Sequence, residues 1–338
     1  MDYNHVIDIL PFTPLPLNRR TNSDRYGFTS LIASELNLSY IPRSFCNWLH
    51  GWAWWDNSDA SEFAEDLGFV GDPKNISKVV NKEAMRQKLK EAGISNVYTA
   101  GLPYAYLFRG VASQLLFNRL PSSILFVPDH SSESNKVFHN IYVYLDYVDA
   151  HSKNYSQVSI LVYGQDYEFL APIIKKRGYL PLFGASPECS NSMMRTKALF
   201  QMHDFVSTNI MGSHVLYALA AGAKVSICGP YQEKHIESHL ADIKAGIYSE
   251  HYVARQHYYA SLRYLANSKY SHLIVEDPRS GSCRASELNS FVDEELGMAS
   301  LASSSRLQKM LGWDIRGQAV GYSHGILRRI NRSLCLTL

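Results

Sequence analysis

A strand–turn–helix–strand pattern over residues 204–230 constrains the fold more than any other feature of this 338-residue chain. A short apolar strand ends at 207–209, and the chain then turns at Gly212. An alanine-rich helix begins at 213 and is followed by a second apolar strand over 224–228. Because this order is typical of parallel strands joined by helices, it predicts an α/β fold.

Small polar residues at the end of the first strand stand beside the start of this helix. The free backbone N–H groups and the positive end of a helix dipole both favour an anion there. In doubly wound sheets, ligands bind at the carboxyl ends of the strands. We therefore predict that this turn binds a phosphorylated ligand. The candidate residues are Ser207, Thr208, Asn209, Gly212, Ser213 and His214.

These residues also fit a structural role. Serine, threonine and asparagine favour turns and helix caps, so 207–209 need not touch a ligand. His214 lies one step inside the helix, where it either touches phosphate or packs against the protein. Gly212 permits close backbone approach and Ser213 starts the helix, and these two features favour binding.

A second strand-end loop has a similar composition. It follows the apolar segment 124–127 and contains Asp129, His130, Ser131 and Ser132. Because parallel strands end at one edge of a sheet, we expect this loop to lie close to the first. Hydroxyls, amides and imidazoles together supply the donors that a diphosphate or phosphosugar requires. Kinase and dinucleotide-dehydrogenase functions lack support, since the chain has neither a Walker loop nor a Gly-x-Gly-x-x-Gly motif.

Alternating apolar and amphipathic segments predict the remaining elements. Strands are expected at 6–10, 40–45, 97–100, 124–127, 158–163 and 180–183. Helices are expected at 81–92, 135–150, 166–176, 193–203, 248–268 and 286–296, with a polar loop at 56–77. Regular strand–helix units begin near residue 121, which predicts domains at 1–120 and 121–315, followed by a tail at 316–338.

The composition describes a globular protein without a marked charge bias. Apolar residues make up 46% of the chain, charged residues 19%, and a formal net charge of +2 gives no reason to expect a nucleic-acid partner. The five cysteines are odd in number and widely spaced, which argues against a disulfide framework or a structural zinc site. No secretory signal and no stretch of ~20 apolar residues is visible, so we expect a cytoplasmic protein.

The tail carries an amphipathic pattern over 326–334, with apolar residues on one face and arginines on the other. A basic helix of this kind suits an anionic membrane surface, and it equally fits a helix packed on the protein with solvated arginines. The first interpretation would bring the protein to the inner face of a membrane as a peripheral contact.

The first half offers one candidate base. His50, in the tryptophan-rich segment 47–52, precedes Gly51 and suits a general base beside a sugar-stacking surface, although it also fits a buried imidazole in an aromatic core. Tyr104 and Tyr106 either line a cleft between the domains or pack in the core. No Asp-x-Asp motif is present, so no metal ligand is predicted. Helix ends, histidines and hydroxyls would then neutralise a leaving phosphate.

Several of these stretches resemble the GT-B glycosyltransferases that assemble bacterial surface polysaccharides such as capsule and O-antigen. The similar stretches are 48–52 with its His-Gly element, 81–104, 124–132, 207–230, 295–297 and 310–313. The resemblance implies two Rossmann-like domains with a cleft between them. It also implies an enzyme that transfers a sugar from a nucleotide-activated donor to a growing glycan or lipid-linked glycan, without a metal or further cofactor.

The resemblance also implies roles for individual residues. The second domain would hold the donor phosphate through 207–209 and 212–214, with 129–132 lining the same cleft. The first domain would hold the acceptor, with His50 as the candidate base. The acidic pair that many of these enzymes use for the donor ribose is absent, and Glu233 is the nearest substitute.

Two other functions stay open. Sugar-nucleotide epimerases share this architecture, but they need several carboxylates around the sugar, and few acidic residues stand near the two loops. A non-catalytic protein that binds nucleotide or glycan would not need a base such as His50.

Overall fold

The computed structural model describes residues 22–53, 59–67, 76–109, 118–130, 141–231, 240–244, 250, 253–255, 258, 261–280 and 285–319. Some predictions from the sequence fall outside these ranges. They are the strand at 6–10, the amphipathic pattern at 326–334, and the candidate ligand residues Ser131, Ser132 and Glu233.

The described strands form two parallel sheets. The first contains β1 (Cys46–Trp48), β2 (Ser77–Val80) and β3 (Val97–Thr99), in the order β1-β2-β3. The second contains β4 (Leu120–Val127), β5 (Gln157–Val162), β6 (Leu180–Phe183), β7 (His203–Thr208) and β8 (Lys224–Ile227), in the order β6-β5-β4-β7-β8. All the described strand pairs are parallel, which confirms the predicted α/β class.

Helices occupy most of the connections between these strands. The described α-helices are α1 (Phe28–Glu35), α2 (Ala60–Asp66), α3 (Glu83–Glu91), α4 (Ile141–Ser152), α5 (Tyr167–Lys176), α6 (Ser192–Met202), α7 (Ser213–Ala220), α8 (Leu240–Lys244), α9 (Leu262–Ala266), α10 (Ala285–Leu296) and α11 (Ser304–Leu311). Short 3-10 helices cover Asn22–Gly27, Pro103–Phe108, Ser271–Leu273, Pro278–Ser280 and Met298–Ser300.

The second sheet reverses its strand order at β4. From this central strand the chain first adds β5 and β6 on one side, and it then returns to add β7 and β8 on the other. The connections that follow β4 and β7 therefore leave neighbouring strand ends and lead to different sides of the sheet. This is the topological switch point at which doubly wound sheets bind ligands.

The central strand β4 is buried on both faces. Leu125 and Val127 belong to a buried cluster that includes residues of α7, whereas Ile124 and Phe126 belong to another that includes residues of α4. Because alternate side chains of a strand point to opposite faces, one cluster lies on each side of the sheet. This burial explains why the strand is a continuous apolar run in the sequence.

The first sheet packs against helices that come from distant parts of the chain. Its buried Trp48 and Val79 share a cluster with Phe28 of α1 and Leu307 of α11. The indole N–H of Trp48 also donates to the carbonyl of Gly101 at 3.0 Å, which joins β1 to the segment after β3. Helix α11 thus packs with the first sheet although it follows the second sheet in the sequence.

The strand predicted at 40–45 is wrong, because the strand of this region is β1 at 46–48. Pro42 has no N–H to donate to a sheet, and Tyr40 is 69% exposed. The N–H of Phe45 donates to the carbonyl of Leu311 at 2.9 Å, so this segment bonds to the end of α11 rather than to a strand.

Two other predictions need correction. The segment 56–77, which the sequence predicts as a polar loop, contains the helix α2 and ends at the first residue of β2. The four residues of β2 are too few to show a clear alternation of polar and apolar side chains. The long helix predicted at 248–268 is interrupted, since Ser261 is extended and its hydroxyl accepts the N–H of Tyr264 as the N-cap of α9. The other predicted strands and helices agree with the structure to within a few residues wherever it describes them.

Candidate functional site

A cavity of about 450 Å³ lies at the switch point of the second sheet. It is lined by the loops after β4 and β7, by the start of α7, and by the loop after β1. Its size is within the range of small-molecule sites. The predicted residues among its lining are His50, Asp129, His130, Gly212, Ser213 and His214.

The two predicted strand-end loops converge, as expected from the parallel sheet. The side-chain oxygen of Asn209 accepts the backbone N–H of Asp129 at 2.9 Å. Its side-chain nitrogen donates to the carbonyl of Pro230 at 3.0 Å. Asn209 therefore joins the loops that follow β4, β7 and β8. Asp129 also accepts the backbone N–H of His130 at 2.8 Å, which shapes the end of the β4 loop.

Ser207, Thr208 and Asn209 are buried beneath the cavity and are not among its described lining residues. The hydroxyl of Ser207 lies 3.2 Å from the thiol of Cys228 on the neighbouring strand. The hydroxyl of Thr208 lies 2.9 Å from Nε2 of His214. These side chains are therefore bonded within the protein, where they hold the turn between β7 and α7 in place.

The start of α7 is attached to the loop of the first sheet. The hydroxyl of Ser213 accepts the backbone N–H of Trp52 at 2.8 Å. A Cβ atom at Gly51 would lie 2.6 Å from this hydroxyl oxygen, so a side chain at position 51 would displace the hydroxyl of Ser213. Gly212 precedes the helix in an extended conformation, and no described side chain caps the helix. The first N–H groups of a helix have no partner within it, and here they adjoin the cavity.

Two histidines of the cavity each stack on a tyrosine. His50 lies on Tyr26 with the ring centroids 5.6 Å apart, and His130 lies on Tyr163 at 4.2 Å. The hydroxyls of Tyr26 and Tyr163 are 2.9 Å apart, and burial raises the pKa of Tyr163 above its usual value. The side chain of His50 is exposed, so the alternative of a buried imidazole is wrong. The backbone carbonyl of His50 accepts the hydroxyl of Tyr217 at 3.1 Å.

A buried carboxylate supports the cavity from behind. The indole N–H of Trp52, which lines the cavity, donates to Glu295 at 3.0 Å. Glu295 on α10 is fully buried and also accepts from Lys82 at 2.9 Å and from Lys269 at 2.7 Å. The sequence does not reveal this cluster, because Lys82 and Lys269 stand 213 and 26 residues away from Glu295.

The two candidate cleft tyrosines occupy different environments. Tyr104 lines the cavity and stacks on Tyr217 with the ring centroids 3.8 Å apart. Burial raises the pKa of both hydroxyls, so both stay protonated over the usual pH range. Tyr106 packs in the core, where its hydroxyl donates to the carbonyl of Ala100 at 2.8 Å and accepts the N–H of Ala302 at 2.9 Å.

The described residues contain no group of three or more histidine, cysteine, aspartate or glutamate side chains placed to hold a metal ion. The cysteines in the described part, Cys46, Cys189 and Cys228, are free thiols. Within the same part of the chain, none of the helices is both long enough and apolar enough to cross a bilayer.

Fold and cavity together define a mixed α/β protein with two parallel sheets and a ligand-sized site at a switch point. No protein-family model matches the chain. No curated protein matches it either. Among solved structures, the chain is similar to two crystal structures of TarM, each with 11% identity and a TM-score of 0.32. One is of a mutant of TarM from S. aureus in complex with Fondaparinux, alpha-GlcNAc-glycerol and UDP. The matches cover 86% and 90% of this chain but only 52% and 53% of the TarM chains, so the chain spans about half their length.

Proposed function

We propose that this protein is a glycosyltransferase of the GT-B type, with a donor-binding domain at 121–315 and an acceptor-side domain at 1–120. It transfers a sugar from a nucleotide-activated donor to a glycan or lipid-linked glycan. The observation that carries the proposal is the cavity at the switch point, which residues of both sheets' loops line. A site of this kind positions one substrate on each side of a shared space.

The start of α7 holds the donor phosphates in this proposal. Gly212, Ser213 and His214 line the cavity, and the uncapped helix end supplies N–H donors and a positive dipole for the charge that develops on the leaving phosphate. His130, from the converging loop, adds a further polar contact. Fixed dipoles and histidines neutralise the leaving group, so the proposed reaction needs neither a metal ion nor a cofactor.

His50 is the proposed general base. Its side chain is exposed at the cavity, and the bond between Ser213 and the N–H of Trp52 places its loop beside the start of α7. His50 accepts the proton of the acceptor hydroxyl, whose oxygen then bonds to the sugar as the sugar–phosphate bond breaks. The departing electron pair stays on the nucleoside phosphate.

Three of the candidate donor residues take a supporting role. Ser207, Thr208 and Asn209 are bonded to neighbouring side chains and loops, so we propose that they position the turn while Ser213 and His214 contact the phosphate. Ser131, Ser132 and Glu233 lie outside the described residues, and we retain them as candidates for the diphosphate and the donor ribose.

The composition of the cavity favours transfer over epimerisation. Asp129 is the only carboxylate among the described residues that line it. A sugar-nucleotide epimerase needs several carboxylates around the sugar, to remove and return protons or to stabilise charge. The site instead offers one exposed histidine on the side from which an acceptor would approach.

The proposal includes a cytoplasmic location, with the arginine-rich pattern at 326–334 as a peripheral contact to the inner face of a membrane. At this membrane surface the protein would reach a lipid-linked acceptor. Vesicles of phosphatidylcholine with and without an anionic lipid test this contact by co-sedimentation of the full chain. Loss of binding when 328, 329 and 332 are changed from arginine to glutamine is the expected result.

A turnover assay tests the proposed activity. The full chain is incubated in EDTA with UDP-, GDP-, dTDP- and CMP-linked sugars, with and without a mixture of glycan acceptors. Release of the nucleoside phosphate that depends on acceptor supports transfer. Conversion of the sugar without acceptor would assign an epimerase, and binding without either reaction would assign a non-catalytic protein.

A further inference from the structure

Tyr104 has a feature that core packing does not explain. Its side chain is fully buried and lines the cavity, yet its hydroxyl has no hydrogen-bond partner among the described residues. Buried hydroxyls in folded proteins are nearly always bonded, because an unsatisfied one loses its hydration without replacement. A phenylalanine would fill the same space without this cost. Because Tyr104 lines the cavity, its unsatisfied hydroxyl is a candidate for a contact with a ligand.

Tyr106 provides the comparison within the same 3-10 helix. It is also a fully buried tyrosine, but its hydroxyl bonds to the carbonyl of Ala100 and to the N–H of Ala302. Tyr106 is a structural tyrosine that packs away from the cavity. The buried hydroxyls of Tyr144 and Tyr155 also have no partner among the described residues, but of these three tyrosines only Tyr104 lines the cavity.

The position of Tyr104 indicates which part of a ligand it meets. Its ring stacks on Tyr217, which lies four residues and about one helical turn after Ser213. It therefore lies about one turn along α7 from Ser213, where the proposal for function places the phosphates. The stacked pair of His130 and Tyr163 belongs to the second sheet's loops and suits a flat nucleobase, whereas Tyr104 belongs to the segment after the first sheet.

We propose that the hydroxyl of Tyr104 forms a hydrogen bond with a hydroxyl group of the donor's sugar, which makes Tyr104 a specificity-determining residue. This inference rests on the proposed nucleotide-sugar site. A neutral phenol both donates and accepts one hydrogen bond, so it complements a sugar hydroxyl. A neutral phenol has no positive charge with which to balance a phosphate. Burial holds the pKa of Tyr104 well above its usual value, so the hydroxyl remains a donor.

Two conservative variants test this role. Tyr104→Phe and the control Tyr106→Phe are compared by thermal unfolding without ligand. Their affinities are then measured by calorimetry for UDP, GDP, dTDP and CMP and for UDP-glucose, GDP-mannose, dTDP-glucose and CMP-sialic acid.

Tyr104→Phe is expected to raise the melting temperature by about 1–3 °C, because it removes an unsatisfied buried group. The variant should lower the affinity for the nucleotide sugar that the wild type binds by a factor of about ten. Its affinity for the matching nucleotide should be unchanged. Tyr106→Phe should lower the melting temperature, since it leaves two backbone groups unpaired, and should not alter the ratio of the two affinities.

Each other outcome overturns the inference. Unchanged affinity for the nucleotide sugar in Tyr104→Phe removes the contact and leaves the proposed function standing. If the affinities for the nucleotide and for the nucleotide sugar fall equally, the hydroxyl contacts the nucleotide part of the donor rather than the sugar. A lower melting temperature without ligand shows that the hydroxyl has a structural partner. If the wild type binds none of the eight probes, the proposed function fails and this inference fails with it.

Discussion

The indole N–H of Trp52 donates a hydrogen bond of 3.0 Å to the carboxylate of Glu295, 243 residues later in the chain. Trp52 forms part of the cavity wall, and Glu295 lies behind it with no exposed surface. The charge of Glu295 is balanced by Lys82 from the first sheet's side and by Lys269 from the second half. This contact therefore couples the wall of the candidate site to the packing of both halves.

We expect Glu295→Gln to destabilise the protein by about 3–5 kcal/mol, because it leaves two lysine charges without their buried counter-ion. Urea unfolding followed by circular dichroism measures the change. Glu294→Gln is the matched control: Glu294 is 65% exposed and lies 3.5 Å from Lys82. Because the carboxylate of Glu294 is exposed, this pair should contribute no more than about 0.5 kcal/mol. Equal effects of the two variants would contradict a special role for the buried carboxylate.

Ser213→Ala should reduce turnover by ~10²-fold, as does the loss of one donor to a developing negative charge. The variant also removes the acceptor for the N–H of Trp52, so the loop after β1 loses its attachment to α7. Initial rates of nucleoside-phosphate release measure the effect. Ser305→Ala, on the exposed face of α11, is the control and should retain the wild-type rate. A full rate in Ser213→Ala would remove this residue from the site.

His50→Ala should lower turnover by ~10²-fold or more, because the acceptor hydroxyl loses its base. Affinity for the donor should stay within a factor of about two, since in our proposal the phosphates are held on α7. Donor binding by calorimetry and turnover measured on the same preparation separate the two effects. A parallel loss of donor affinity would assign His50 to donor binding, and His272→Ala controls for the loss of an exposed histidine elsewhere.

The stability of the protein should fall as the pH drops below about 6.5, and His203 is one cause. Burial lowers the pKa of His203 from 6.5 to about 4, so the folded protein binds its proton less readily than the unfolded chain. The contribution of neutral His203 to stability is complete above its pKa in the unfolded chain. It is lost as the pH falls towards its pKa in the folded protein. The loss amounts to about 3 kcal/mol over this window.

His203→Asn tests the contribution of this residue. The amide can still reach the carbonyl of Leu199, which lies 2.8 Å from Nδ1 of His203. Free energies of unfolding at pH 7 and pH 4.5 should then differ less in the variant than in the wild type. An unchanged difference would assign the acid sensitivity to other groups.

The approach of the two strand-end loops was predictable because it follows from topology. Once β4 and β7 are parallel neighbours, their carboxyl ends lie at one edge, and the bond from Asp129 to Asn209 shows this approach. Which side chains of the turn face the cavity was not predictable. Composition treats Thr208 and Ser213 alike, whereas only Ser213 lines the cavity.

The sequence by itself determined the parallel α/β architecture, since continuous apolar strands and amphipathic helices encode burial over a few residues. It also predicted that the loops after β4 and β7 would meet, because parallel strands end at one edge of a sheet. Only the tertiary structure decided the contacts of Glu295, the stacking of Tyr104 on Tyr217, and the pairing of Tyr26 with Tyr163. These depend on residues far apart in the chain, and no local pattern of polarity records which distant side chains will share a buried space.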